Sequence, residues 1–187
     1  MTILFTHNTP SAYPDNFHVI NDVMRANRLF RTNRGCEVGV RNGFFSRHLM
    51  EHNQWLSMWC VDPYTPYQDV IDYQDEESQA AARANAFLTL ECFGARTHWM
   101  YTDSVDAARQ IPRNWFDFVF IDANHEYKYA KQDIEVWAPC VRRGGLLCGH
   151  DWSMAGVNKA VKEFAGKEAY EIKSVLGTAD VWLIEMR

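Results

Sequence analysis

The chain has 187 residues, a formal net charge of -5 and a pI near 5.8. Hydrophobic residues make up 47% and aromatics 14%, enough for a full core, which excludes a disordered chain. No block of five or more Lys/Arg occurs, and no apolar run approaches the roughly 18–20 residues of a membrane span, so neither a nucleic-acid partner nor a membrane is expected.

The length suits one domain over residues 1–187. The opening Met1-Thr2-Ile3-Leu4-Phe5-Thr6-His7 lacks the basic region and long apolar core of a signal peptide, so a cytoplasmic location is the expectation. Cys36, Cys60, Cys92, Cys140 and Cys148 form no C-x-x-C pair. Three of them fall in predicted strands, where free Cys acts as a small buried hydrophobe, and reduced thiols are expected.

Residues 1–14 are polar, contain two prolines and predict an extended lead-in. Phe17, Ile20, Val23 and Met24 recur at helical spacing and predict a helix over about 16–30. Gly35 to Ser46 reads as a strand, a glycine-containing turn and a helix over about 44–53. A second strand, 57–63, ends in Asp62-Pro63. The Tyr-, Asp-, Gln- and Glu-rich stretch 64–78 is long enough for a lid. Ala80, Ala84, Phe87 and Leu88 suggest the buried stripe of the next helix, closed by Gly94. A third strand runs from Thr97 to Asp103, with Ser104 placed to cap a short helix.

The segment 115–122 is a near-continuous apolar run that predicts a strand buried on both faces. It stops at Asp122, with His125 three residues beyond. A helix carrying Ala130, Ile134, Trp137 and Ala138 follows, ended by Pro139. A strand over 146–149 then runs into His150-Asp151-Trp152, and Val157, Ala160, Val161, Phe164 and Ala165 mark a further helix. Segments 168–176 and 179–186, joined at Gly177, predict an antiparallel pair. The alternation is that of an α/β, doubly wound, Rossmann-like, mostly parallel seven-stranded sheet with a C-terminal antiparallel strand pair.

In such sheets ligands bind beyond the carboxyl ends of the strands. Here those ends carry acids and, within the strands themselves, no others are expected. Glu37-x-Gly39-x-x-x-Gly43 permits a tight turn and close backbone approach to a ligand at a helix N-terminus. Arg41 replaces the middle glycine of a dinucleotide fingerprint, which disfavours an NAD-dependent oxidoreductase. Asp62, about 20 residues on, suits ribose hydroxyls, and Asp103 with Ser104 suits an adenine amino group. Asp122 and His125 are candidates for metal binding or general-base work, and a non-catalytic nucleoside-binding module is the remaining alternative.

Glu37 to Ser46, Val61-Asp62-Pro63-Tyr64, Thr102-Asp103-Ser104, the 116–125 segment and Gly144-Gly145-Leu146-Leu147-Cys148-Gly149-His150-Asp151-Trp152 resemble, in order and spacing, class I S-adenosylmethionine-dependent methyltransferases. Within that superfamily they look most like the macrocin-type sugar O-methyltransferases and their cephalosporin-biosynthesis relatives. The resemblance runs from about residue 35 to the C-terminus.

It implies an S-adenosylmethionine-dependent O-methyltransferase acting on a small hydroxylated molecule, such as a saccharide or glycosylated metabolite. Glu37, Gly39 and Gly43 would line the methionine part of the cofactor, Asp62 the ribose, and Asp103 and Ser104 the adenine. Asp122, His150 and Asp151 would hold a divalent cation such as Mg2+, with His125 and Asp122 as the catalytic pair. His150 stands where relatives more often carry a carboxylate. The longer segments that many relatives place over the acceptor are missing, which implies a pocket that is open or completed by a partner subunit in a homo-oligomer. Of the aromatic residues near the expected mouth, Tyr127 and Trp152 are the candidates for stacking on the acceptor.

Overall fold

A computed structural model of the chain describes residues 16–26, 28–68, 73–176 and 179–187. The expected lead-in at 1–14 and the joint at Gly177 lie outside them. Seven strands form the main sheet: β1 (Arg34–Val38), β2 (Ser57–Val61), β3 (Thr97–Met100), β4 (Phe116–Ile121), β5 (Val141–Gly149), β6 (Ile172–Val175) and β7 (Val181–Glu185). Their order across the sheet is β3-β2-β1-β4-β5-β7-β6. The first five are parallel to one another, and β7 runs antiparallel to both β5 and β6. The chain reverses its winding between β1 and β4, the position at which doubly wound sheets open a ligand crevice.

Among the described residues six α-helices cover the two faces: α1 (Asn16–Ala26), α2 (Phe44–His52), α3 (Glu76–Leu90), α4 (Ser104–Arg109), α5 (Tyr127–Trp137) and α6 (Ala155–Glu168). One core layer gathers Phe118 and Phe120 of β4, Met58 of β2 and Leu183 of β7 under Ile20, Leu49 and Leu90 of α1, α2 and α3. The other gathers Val119 and Ile121 of β4 and Trp182 of β7 under Ala108, Trp137 and Val161 of α4, α5 and α6. β4 is buried at every position, as its apolar run predicts.

Several boundaries differ from the sequence reading. The first helix ends at Ala26 rather than near 30. The third strand ends at Met100. Within the 64–78 stretch, residues 67–68 and 73–74 pair as a short antiparallel ribbon and α3 begins at Glu76, while 69–72 lie outside the described residues. The buried stripe of α3 is Gln79, Ala82, Ala86 and Leu90. Phe87 and Leu88, expected inside, are 52% and 64% exposed, and Ala80 and Ala84 are exposed too. Gly94 (φ 54) breaks a 3-10 turn that follows the helix rather than the helix itself.

Acids are not confined to the strand tips either. Asp117 lies inside β4 at 0% exposure, next to an irregularity in the β4–β5 register. Its carboxylate accepts from Arg142 Nε (2.7 Å), Arg31 N (3.0 Å) and Thr32 N (2.8 Å), so a buried charge is matched by a cation and two amides. Among the described residues no helix is long and apolar enough to cross a membrane. The cysteines are free, four buried and Cys92 exposed.

Candidate active site

The parallel ladder continues one rung past the regular strands. Asp62 N donates to Met100 O (3.2 Å), Gly39 N to Val61 O (2.9 Å), Asp122 N to Val38 O (2.8 Å) and His150 N to Ile121 O (3.1 Å). Neighbouring strands lie about 4.8 Å apart, so this rung sets Asp62, Gly39, Asp122 and His150 side by side along one rim.

At the centre of the rim the β1–α2 turn is shaped by its neighbours. Gly39 adopts φ 88, and a Cβ there would lie 2.0 Å from the carbonyl oxygen of Asp122, so only glycine fits. Gly43 (φ 77) is the N-cap of α2. Asp62 Oδ2 accepts from Val40 N and Arg41 N (3.0 Å each), and Oδ1 accepts from Tyr64 N (2.8 Å). Three of the roughly four acceptor positions of the carboxylate therefore hold the protein's own turn, leaving about one for a ligand. Tyr64 reaches back through its hydroxyl to Arg41 O (3.0 Å).

Glu37 lies beneath this turn at 3% exposure, with the Ser46 hydroxyl donating to its Oε2 (2.5 Å). Burial pushes the Glu37 carboxyl well above the usual range; the Ser46 bond opposes the rise, and nearby Asp122 and Asp62 add to it.

At the outer tip of β3, Asp103 rather than Ser104 is the cap of α4, accepting from Val105 N and Asp106 N (3.0 Å each). The Ser104 hydroxyl accepts from Trp137 Nε1 (2.8 Å) and so faces α5. Both residues are engaged by the protein.

On the other side of Gly39 four titratable groups converge. His125 Nε2 is 2.9 Å from Asp151 Oδ2, His150 Nδ1 is 3.2 Å from the same oxygen, and His150 Nδ1 is 3.8 Å from Asp122 Oδ1. Donor atoms of Asp122, His125 and Asp151 all lie within 4.8 Å of one another, close enough to hold one ion. His125 is thus drawn into the cluster instead of standing apart from it. Beneath the cluster is a cavity of about 10 Å³ floored by Ile134, Val157 and Trp182, near the lower limit for one water.

The electrostatics follow from this crowding. Burial pushes Asp122 up to about 6; Asp151 adds to the rise while His150 and His125 oppose it. Asp151 is held well below the usual carboxylate range because hydrogen bonds from His125 and His150 outweigh its burial. For His150, burial disfavours the charge, but Asp151, Asp122 and Asp180 outweigh it and raise its pKa.

Residues 36–152 match the family model described as a methyltransferase domain. The chain belongs to that family. It is an enzyme of the S-adenosylmethionine-dependent methyltransferase type. The fold is also that of solved methyltransferases. The O-methyltransferase NovP is 17% identical with a TM-score of 0.64, the likeness covering 91% of this chain and 79% of that one. The S-adenosylhomocysteine-bound methyltransferase PaMTH1 of Podospora anserina is 14% identical with a TM-score of 0.63, covering 96% and 83%. No curated protein sequence matches the chain.

In the methyltransferase Tyr127 and Trp152, the candidates for stacking on the acceptor, pack against α6. The Tyr127 hydroxyl donates to Glu163 Oε2 (2.6 Å) and its ring lies under Lys159 Nζ (4.3 Å). Trp152 packs below Lys162 Nζ (5.5 Å) and joins the second core layer. Both rings are turned onto α6. Residues that the sequence reading passed over also shape the site. The Asn124 side chain accepts from Glu126 N (2.9 Å) and folds the loop carrying His125, while Asp180 and Trp182 grip the loop carrying Asp151. Of these only Asn124, a good Asx-turn residue just past a strand tip, carried a local signal.

Proposed function

We propose that this methyltransferase, acting as a single domain over residues 1–187, methylates a hydroxyl of a small molecule, a saccharide or glycosylated metabolite, with help from a divalent cation. Its motifs resemble those of the macrocin-type branch, to which we assign it. The observation that carries the reading is the shared rung: the nucleoside-side acid Asp62, the close-approach Gly39 and the acceptor-side cluster lie on one continuous rim.

S-adenosylmethionine, when bound, supplies an electrophilic methyl group. The Gly39–Gly43 turn would receive its methionine part over Glu37, with Asp62 toward the ribose and Asp103 toward the adenine. The expected set of Asp122, His150 and Asp151, two hard carboxylates and a borderline imidazole, suits a divalent cation by its chemistry, although the donor atoms that converge within 4.8 Å of one another are those of Asp122, His125 and Asp151. Bound there, such an ion would lower the pKa of the acceptor hydroxyl.

The chain's own residues do the rest. Asp151 orients His125 through the 2.9 Å contact, and the imidazole accepts the hydroxyl proton. Asp122 and Asp151 keep negative charge beside the proton-accepting ring. Ile134, Val157 and Trp182 close the floor against bulk water. Placement of acceptor and donor in line supplies much of the rate, on the order of 7–11 kcal/mol in the best intramolecular models.

The test begins with calorimetry on S-adenosylhomocysteine and continues with a methyl-acceptor screen of hydroxylated metabolites. His125→Ala is expected to keep cofactor affinity and to lose turnover by about 10²-fold or more. Turnover unaffected by His125→Ala removes His125 from the reaction. Full activity in excess chelator removes the cation.

A further inference from the structure

Asp151 is the hub of the acceptor-side cluster, since both imidazoles meet its Oδ2. Its backbone sits at φ 58. That left-handed conformation costs a residue with a side chain about 1 kcal/mol or more and persists only where the surroundings over-determine it. Within its own loop Asp151 has one closing bond, Met154 N to Asp151 O (2.9 Å).

Asn158 Nδ2 of α6 donates to Trp152 O (3.1 Å), and further restraint comes from β7 and the residue before it. Asp180 Oδ1 accepts from Ser153 N (3.0 Å) and Asp180 Oδ2 from the Ser153 hydroxyl (2.6 Å). The Asp180 carbonyl accepts from Trp152 N (3.2 Å), and Trp182 Nε1 donates to His150 O (3.1 Å). The loop is therefore gripped at residues 150, 152 and 153, on both sides of Asp151. Asp180 is itself in the left-handed region at φ 37. Two left-handed residues are thus linked across the β5–β7 seam through Trp152 and Ser153. The Asp62 half of the rim is braced separately, by Val40, Arg41 and Tyr64.

We propose that Asp180 is a positioning residue for methyl transfer: acting through Ser153, it sets where Asp151 stands, and through Asp151 where His125 and His150 stand. This rests on the reading of that cluster as the acceptor side of the site. Asp180 itself meets none of the reacting groups. Its removal separates the two halves of the rim, leaving nucleoside binding intact while the His–Asp cluster loosens. A residue that merely stabilised the hairpin would lower the melting temperature and leave the imidazoles as they were.

The experiment compares the wild-type chain with Asp180→Ala, Asp180→Asn and Ser153→Ala. It reads the 15N–1H imidazole signals of His125 and His150, S-adenosylhomocysteine affinity, and Mn2+ affinity of the S-adenosylhomocysteine complex. Asp180→Ala and Ser153→Ala are expected to shift the imidazole signals and to weaken Mn2+ binding at least about 10-fold, the usual scale for a residue that orients a ligand, with S-adenosylhomocysteine affinity unchanged. Asp180→Asn, which keeps an acceptor for Ser153 N, falls between. Imidazole signals identical to wild type in Ser153→Ala and Asp180→Asn overturn the proposal, and these mild variants decide it even where Asp180→Ala does not fold. A wild-type chain that binds no S-adenosylhomocysteine, or no Mn2+, overturns the corresponding part of the proposed function instead; the imidazole comparison still decides the role of Asp180.

Discussion

Replacing Asp117 tests the account of how the sheet is held at the end away from the site. The side chain is fully buried and joins β4 to Arg142 of β5 and to the segment leading into β1 through Arg31 N and Thr32 N. Arg142 is only 12% exposed, and its Nη2 donates to Leu29 O (2.5 Å), so it has little room to move into solvent. Asp117→Ala strands a buried guanidinium and two amides. Breaking a buried pair in this way costs about 3–5 kcal/mol. At about 2–4 °C per kcal/mol for a domain of this size, the melting temperature should fall by about 6–20 °C.

Asp117→Leu combined with Arg142→Met removes the charges together and should recover part of the loss. The recovery stays incomplete because the amides of Arg31 and Thr32 still need an acceptor. Urea unfolding of the single and double variants gives these energies, and calorimetry should show S-adenosylhomocysteine affinity unchanged in the folded protein. A loss below about 1 kcal/mol for Asp117→Ala would refute the claim that this ion pair carries the N-terminal end of the sheet.

Asp133 makes a pH-dependent prediction away from the site. Burial raises its carboxyl to about 6, against a stabilising hydrogen bond from Ser104 and with a further push from Asp103. A raised folded pKa means the folded chain holds a proton that the unfolded chain has lost, so this group's contribution is largest below pH 4 and is lost as the pH rises toward 6. Asp133→Asn should therefore be more stable than wild type at pH 7, by up to about 3 kcal/mol, with the advantage shrinking by about 1 kcal/mol between pH 7 and pH 5 in urea unfolding. An advantage independent of pH would show that charge burial is not its origin. Asp62→Ala frees three backbone amides of the central turns and should weaken S-adenosylhomocysteine binding by about 10-fold or more, at a stability cost of about 2 kcal/mol, both read by calorimetry. Gly39→Ala forces a Cβ into the Asp122 carbonyl and should abolish S-adenosylhomocysteine binding; retained affinity would mean that the turn can rearrange.

The order of helices and strands was legible because β4 is apolar at nearly every position and the strand tips are marked by acids and glycines. Asp62, Asp122 and His150 could be placed on a common rim because parallel neighbours end at the same level. The face of α3 was misread for a definite reason. Its alanines and leucines lie all round the helix, so spacing does not select Gln79, Ala82, Ala86 and Leu90 over Phe87 and Leu88. The Asp117–Arg142 pair escaped because its partners are 25 residues apart and meet only where β4 and β5 begin. Ser104 misled because a Ser before a short helix reads as a cap, yet Asp103 is one residue better placed to receive the amides. Asp180 left no local trace, since its partner lies 27 residues earlier in the chain.

The rung joining Asp62, Gly39, Asp122 and His150 is built wholly from main-chain amides and carbonyls. Three of the four therefore owe their location to nothing in their own side chains; Gly39 alone is dictated by space. Donor identity at 122 and 150 is uncoupled from the lattice beneath. Single substitutions at these positions can change which side chain stands on the rim without disturbing the hydrogen-bonded row, which acts as a rack on which different chemistries are hung.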